Sequence, residues 1–218
     1  MIKAVIFDVD GTLLDTERIY VHAWKEAGKS MGYDIPDSVM LRTRAVNKVD
    51  AKKIFAEALG ENFSYETVHK IRTKIAEDII HSRNDLLRPG VLPTLEYLRK
   101  RQLPIAVASS TKLDKTEDHL QHTGLLSNFQ VVVGGDMVQK SKPNPDIFLL
   151  AASMLGVPPE NCLVVEDTPA GIEAAHAAGM CPVLIPDYVT PNEQTKALCF
   201  RVLQQMDQLI PILEELIG

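Results

Sequence analysis

Ala4-Val-Ile-Phe-Asp8-Val-Asp10-Gly-Thr12 is an apolar run that ends abruptly on two carboxylates and a glycine. Four successive apolar residues without polar alternation describe a strand buried on both faces, the condition of a parallel sheet. The same signature recurs downstream in Ile105-Ala-Val-Ala, Val131-Val-Val, Leu163-Val-Val and Val183-Leu-Ile. Helical periodicity fills the intervals at 92–100, 113–122, 145–155 and 171–178. Alternating strands and helices predict a doubly wound parallel, Rossmann-like α/β sheet.

One stretch breaks the alternation. Residues 15–88 hold no buried strand pattern, only amphipathic helical segments at 16–31, 49–59 and 65–82. They are expected to form an all-helical insert, a cap domain, in a sheet domain made of residues 1–14 and 89–218. Asp15 and Thr16 suit a helix start and a hinge. Pro89-Gly90 marks the return, because neither residue continues a helix comfortably. Tyr20 and Trp24, four residues apart, share a face of the first insert helix, where packing is the expected use of Trp24.

Composition narrows the function. The 218 residues carry 23 Lys+Arg against 29 Asp+Glu, a formal charge of −6. That balance argues against nucleic-acid binding, which needs a basic surface to neutralise phosphates. Cys162, Cys181 and Cys199 are too few and too scattered for a disulfide framework or a CxxC metal site, and read as buried thiols. No apolar segment approaches the ~20 residues that cross a bilayer, and the first residues lack a signal-peptide pattern. A cytoplasmic protein without a membrane partner is expected. With no heptad pattern, it should be a monomer or a weak homodimer.

In open parallel sheets, ligands bind beyond the carboxyl ends of the strands. Asp8, Asp10, Gly11 and Thr12 follow the first strand and Ser109, Ser110 and Thr111 the second; Lys142 follows the third region and Glu166 and Asp167 the fourth. Asp8 and Asp10 with Glu166 and Asp167 would repel one another unless a cation neutralised them, and hard oxygen donors select Mg²⁺. With a hydroxyl from Ser109 and an ammonium from Lys142, the set suits a phosphoryl group attacked in line by a carboxylate. That route needs a carboxylate nucleophile, and Asp10 would then act as general acid on the leaving oxygen and as general base for the next acceptor.

These residues, in this order, resemble the four motifs of the haloacid dehalogenase-like hydrolase superfamily: Asp8-Val-Asp-Gly-Thr, Ser109 after a Val-Ala strand, Lys142-Pro-Asn-Pro-Asp-Ile-Phe, and Glu166-Asp-Thr-Pro-Ala-Gly-Ile. The resemblance runs along the whole chain. The helical insert after the first motif is similar to the cap of the β-phosphoglucomutase-like branch. The resemblance implies that Asp8 is nucleophile and metal ligand, and that Asp10 adds its main-chain carbonyl to the metal. Asp167, with Glu166 as a further candidate, would complete the ligands. Ser109 and Lys142 would bind phosphate, helped by backbone N–H groups of Gly11, Thr12 and Ser110. Dehalogenases and phosphonate hydrolases of that superfamily lack the second acid of the first motif, so Asp10 points away from them.

Two departures bear on the reaction. A β-phosphoglucomutase is expected to carry histidine where Tyr20 stands, and a Leu-x-Gly stretch before an arginine that grips the distal phosphate. Here the stretch reads Leu41-Arg-Thr-Arg-Ala-Val-Asn-Lys48 without the glycine, leaving Arg42, Arg44 or Lys48 as substitutes. The sequence therefore favours a Mg²⁺-dependent phosphatase of a small phosphorylated metabolite, such as a sugar phosphate, over a sugar-phosphate mutase. A non-catalytic phospho-receiver is disfavoured by the long insert and by the position of Asp8 after the first strand.

Overall fold

The computed structural model describes residues 1–43, 48–187 and 190–217. The chain divides into two compact units, Met1–Asp15 with Leu87–Gly218 and, between them in sequence, Thr16–Leu86.

The first unit is built on a six-stranded parallel sheet of β1 (Ala4–Phe7), β2 (Ile105–Ala108), β3 (Val131–Val133), β4 (Cys162–Glu166), β5 (Cys181–Leu184) and β6 (Arg201–Val202). The spatial order is β3-β2-β1-β4-β5-β6. Both neighbours of β1 run parallel to it, so the chain winds one way through β2 and β3 and the other way through β4 to β6. The loops after β1 and β4 part at that reversal and leave a crevice.

Alternate residues of each strand enter different cores. Val5, Phe7, Ile105, Val107, Leu163 and Val165 pack with Val91, Leu95, Leu98, Leu120, Leu209 and Leu213. Those partners lie on α5 (Val91–Lys100), α6 (Leu113–His122) and α10 (Leu209–Ile217). Ala4, Ile6, Ala106, Ala108, Val131, Val133 and Val164 meet Ile147, Phe148, Ala151 and Ala152 of α7 (Asp146–Leu155) and Ala174 and Ala175 of α8 (Pro169–Ala177). Two apolar layers are the physical reason that the strand sequences show no alternation. A short α9 (Glu193–Leu198) precedes β6.

The other unit contains α1 (Glu17–Ser30), α2 (Asp37–Thr43), α3 (Lys48–Leu59) and α4 (Tyr65–Ser82), and no strand among the described residues. Ile19 and Ala23 of α1 bury against Ala76 and Ile80 of α4. Ala27, Val39, Met40, Phe55, Phe63 and Val68 form a second cluster. Trp24 packs there, its ring 4.6 Å from that of Phe55 and 5.4 Å from that of Tyr65. Arg72 lies over the Tyr20 ring at 4.0 Å. Thr16 occupies the position before α1 but makes no side-chain cap bond.

Where the first unit is interrupted, its two chain segments run together. Leu14 bridges to Leu87, and the Arg88 N–H donates to the Leu13 carbonyl at 3.0 Å. Arg88 then forms an ion pair with the buried carboxylate of Asp187, just after β5. The described part of the basic run at 42–53 is paired with exposed carboxylates: Arg42 with Glu57, Lys48 and Lys52 with Glu66, and Lys53 with Asp50. Arg44 lies outside the described residues. The three cysteines are free thiols; Cys162 is buried, whereas Cys181 and Cys199 are half-buried. No helix among the described residues is long and apolar enough to cross a membrane.

Candidate active site

Three adjacent strands, β2, β1 and β4, deliver side chains to one end of the sheet. The Asp8 N–H donates to the Val165 carbonyl of β4 at 3.0 Å, extending the ladder by one residue and fixing where the carboxylate emerges. After Asp8 the chain turns tightly: the Val9 carbonyl accepts from the N–H groups of Thr12, Leu13 and Leu14. Gly11 occupies the left-handed region at φ 85°, which a residue with a Cβ enters at a steric cost.

Lys142 ties the strand ends together. Its Nζ donates to Asp8 Oδ1 at 2.6 Å, Glu166 Oε1 at 2.7 Å and the Ala108 carbonyl at 3.1 Å, which uses all three ammonium protons. It also sits 4.8 Å from the centre of the Phe148 ring. Lys142, Asp8 and Glu166 are all buried. Burial alone would lower the ammonium, but Asp8 and Glu166 outweigh it and hold Lys142 above the ordinary lysine value. Burial pushes the Asp8 carboxyl up to about 8; Lys142 opposes this, and Glu166 and Asp10 add to it. A cation brought to Asp8 would counter that rise.

Glu166 has both oxygens engaged. Oε1 accepts from Lys142, and Oε2 accepts from the N–H groups of Asp167 and Thr168 and from the Thr168 hydroxyl, each at 2.9 Å. The Thr168 hydroxyl oxygen in turn caps α8 by accepting from the Gly171 N–H at 3.1 Å. A Cβ on Gly171 would run into the Glu166 carboxylate, so this position admits glycine alone without rearrangement.

The remaining expected residues fall as follows. Asp167 is buried, with Oδ1 3.4 Å from the Thr12 hydroxyl. Ser109 is buried at the end of β2, its N–H bonded to the Val133 carbonyl and its Oγ accepting from the Thr111 N–H at 3.0 Å. Ser110 is exposed. Asp10 is half-buried, and its Oδ2 accepts from the Thr111 hydroxyl at 2.9 Å. Gly11 and Thr12 require a correction. Their N–H groups, expected to face a phosphate, are engaged inside the turn, Gly11 with the Leu14 carbonyl at 2.8 Å and Thr12 with that of Val9 at 3.2 Å. The tightness of the turn after Asp8 consumes them.

Thr111 was missed by the sequence reading as a partner of Asp10. The signal that points to it is a third hydroxyl in the run Ser109-Ser110-Thr111, one more than phosphate binding by a side chain and a backbone N–H requires.

Comparison with known proteins places the chain in a family. The sequence profile of the haloacid dehalogenase-like hydrolases matches residues 2–179. A phosphorylated carbohydrates phosphatase of Thermotoga maritima is 34% identical over 183 residues, covering 82% of this chain and 82% of that protein. The β-phosphoglucomutase of Bacillus subtilis is 30% identical over 194 residues, covering 83% and 82%. Among solved structures, a variant of CbbY from Rhodobacter sphaeroides in complex with xylulose-(1,5)bisphosphate superposes with a TM-score of 0.82 at 27% identity, covering 96% of each chain. With its parallel sheet, its helical insert after the first strand and its acidic strand ends, the chain belongs to the haloacid dehalogenase-like hydrolases, in their β-phosphoglucomutase-like branch.

Proposed function

We propose that the protein is a Mg²⁺-dependent phosphatase of a small phosphorylated carbohydrate, working through an aspartyl-phosphate on Asp8. The observation that carries this reading is the contact of 2.6 Å between Lys142 Nζ and Asp8 Oδ1, which joins a buried carboxylate at a strand end to a buried cation. The phosphatase of carbohydrate phosphates and the sugar-bisphosphate complex among its relatives support the substrate class. An enzyme of this kind would meet its substrate in the cytoplasm.

In the first half-reaction an Asp8 oxygen attacks phosphorus while the bond to the leaving oxygen breaks, and Asp10 gives that oxygen a proton. In the second, Asp10 takes a proton from water as the water oxygen attacks phosphorus, freeing inorganic phosphate and restoring Asp8. Lys142 offsets charge on Asp8, and Ser109 donates its hydroxyl proton to a phosphoryl oxygen, its own oxygen already accepting from Thr111. The exposed Ser110 offers its N–H.

The donor set fits a divalent cation: Asp8, Asp10 and Asp167 bring hard oxygens to a site where the Lys142 ammonium is already shared with Glu166. Asp8, Asp167 and the Asp10 carbonyl would hold the ion, which supplies positive charge opposite the phosphoryl oxygens. Glu166, with both oxygens engaged, is assigned to fixing Lys142 instead of binding the ion. The helical unit, as a cap, would select the substrate.

The test is Asp8→Asn, which should abolish release of inorganic phosphate from every phosphate ester tried, by at least about a thousandfold. Retained turnover overturns the reading. Similarity to the Bacillus subtilis mutase keeps a second reading open. A mutase would convert a sugar 1-phosphate to the 6-phosphate when primed with bisphosphate, without net phosphate release. Measuring both products in one reaction separates the two.

A further inference from the structure

We infer that Thr111 is a positioning residue for the general acid, holding the Asp10 carboxyl in the orientation from which it serves the leaving oxygen. The inference rests on the role proposed above for Asp10 and adds a residue to it.

The argument begins with what must aim the Asp10 side chain. If the main-chain carbonyl of Asp10 turns toward the metal, the carboxyl needs its own restraint. The Thr111 hydroxyl supplies one, donating to Oδ2 at 2.9 Å across 101 residues of chain. A hydrogen bond to one carboxylate oxygen restrains rotation of the whole group, so the side chain keeps one direction as the leaving oxygen departs.

Thr111 is itself held on several sides. Its N–H donates to Ser109 Oγ at 3.0 Å, and its carbonyl accepts from the Gly135 N–H at 2.7 Å and from the Thr116 hydroxyl at 3.4 Å. The adjacent backbone lies so close to Gly134 and Gly135 that a Cβ on either would overlap it, at Leu113 and Ser110 respectively. The pairing of β2 with β3 brings this glycine pair alongside, since Ala108 stands opposite Val133. A β-branched side chain on so fixed a backbone has few χ1 options, so the hydroxyl is preset and not recruited. One loop thus serves two ends of the reaction: Ser109 faces the phosphoryl group, and Thr111 orients the acid that serves the departing oxygen.

The readout is dependence on the leaving group. Phenolate, with a conjugate acid pKa of about 10 like that of tyrosine, needs a proton far more than p-nitrophenolate does. First-turnover release of phenol and of p-nitrophenol from their phosphate monoesters is measured for the parent, Thr111→Val, Thr111→Ser and Asp10→Asn. The phenyl to p-nitrophenyl rate ratio is expected to fall by roughly tenfold or more in Thr111→Val, a part of the 10²–10⁴ that general acids contribute. Thr111→Ser, which keeps the hydroxyl, should recover most of it. An unchanged ratio in Thr111→Val beside a lowered ratio in Asp10→Asn overturns the assignment of Thr111, because lost folding or phosphate binding slows both esters alike. An unchanged ratio in Asp10→Asn overturns the role of Asp10 itself.

Discussion

At the scale of single residues, the least conspicuous member of the site is Gly171. Its hydrogen leaves room for the Glu166 carboxylate, which in turn holds Lys142 against Asp8. Alanine is ordinarily the better helix former by about 1 kcal/mol. Here Gly171→Ala should instead destabilise the protein by about 1–3 kcal/mol, the usual cost of overpacking, and lower kcat by displacing Lys142. Urea unfolding and phosphate release measure the two effects. A variant that is more stable and fully active would show that Glu166 is free to move. The gathering of Asp8, Asp10, Lys142 and Asp167 at one end of the sheet was legible because acidic, hydroxyl and ammonium groups stood at successive strand ends. The engagement of Glu166 and of the Gly11 and Thr12 N–H groups was not, because hydrogen-bond pairing depends on how loops close.

At the scale of elements, strands buried on both faces announced themselves, and β1 to β5 lie where apolar runs predicted them. β6 escaped notice because Arg201 and Val202 form a two-residue, exposed edge with no apolar run. α2, α9 and α10 were missed as well; the first two, at seven and six residues, are too short for helical periodicity to register, and Pro211 interrupts the pattern of the third. The return segment carries another feature that spacing does not reveal, the ion pair between Arg88 and Asp187. Asp187 is buried, and its second oxygen has no partner among the described residues. Removing the guanidinium leaves that charge uncompensated. Arg88→Ala should therefore cost about 3–5 kcal/mol, whereas Arg88→Ala with Asp187→Asn together should cost less than Arg88→Ala alone. Chemical denaturation of both variants provides the comparison, and a double variant worse than the single one would reject the coupling.

At the scale of the whole molecule, the acidity is divided unevenly. Residues 15–88 carry 13 basic and 12 acidic side chains, and the rest of the chain 10 and 17. The excess belongs to the unit that holds Asp8, Asp10, Glu166 and Asp167, where the proposed cation would relieve repulsion in the folded state and find no assembled site in the unfolded one. Mg²⁺ should accordingly raise the thermal midpoint, by about 2.7 kcal/mol of stability at a concentration one hundred times its Kd. EDTA should reverse the shift and abolish turnover. A midpoint indifferent to millimolar Mg²⁺ would contradict the metal assignment.

The sheet order has a consequence for biosynthesis. β1 is flanked by β2 and β4, whose first residues emerge 101 and 158 residues after its own. At roughly 5–20 residues per second, the nascent Ala4–Phe7 segment waits about 5–20 s for its first neighbour and longer for its second. During that wait the helices of Thr16–Leu86, whose contacts are nearer in sequence, are already outside the ribosome and able to form. The strand that presents Asp8 thus precedes both of its neighbours and is completed late, its apolar edges unpaired in the interval.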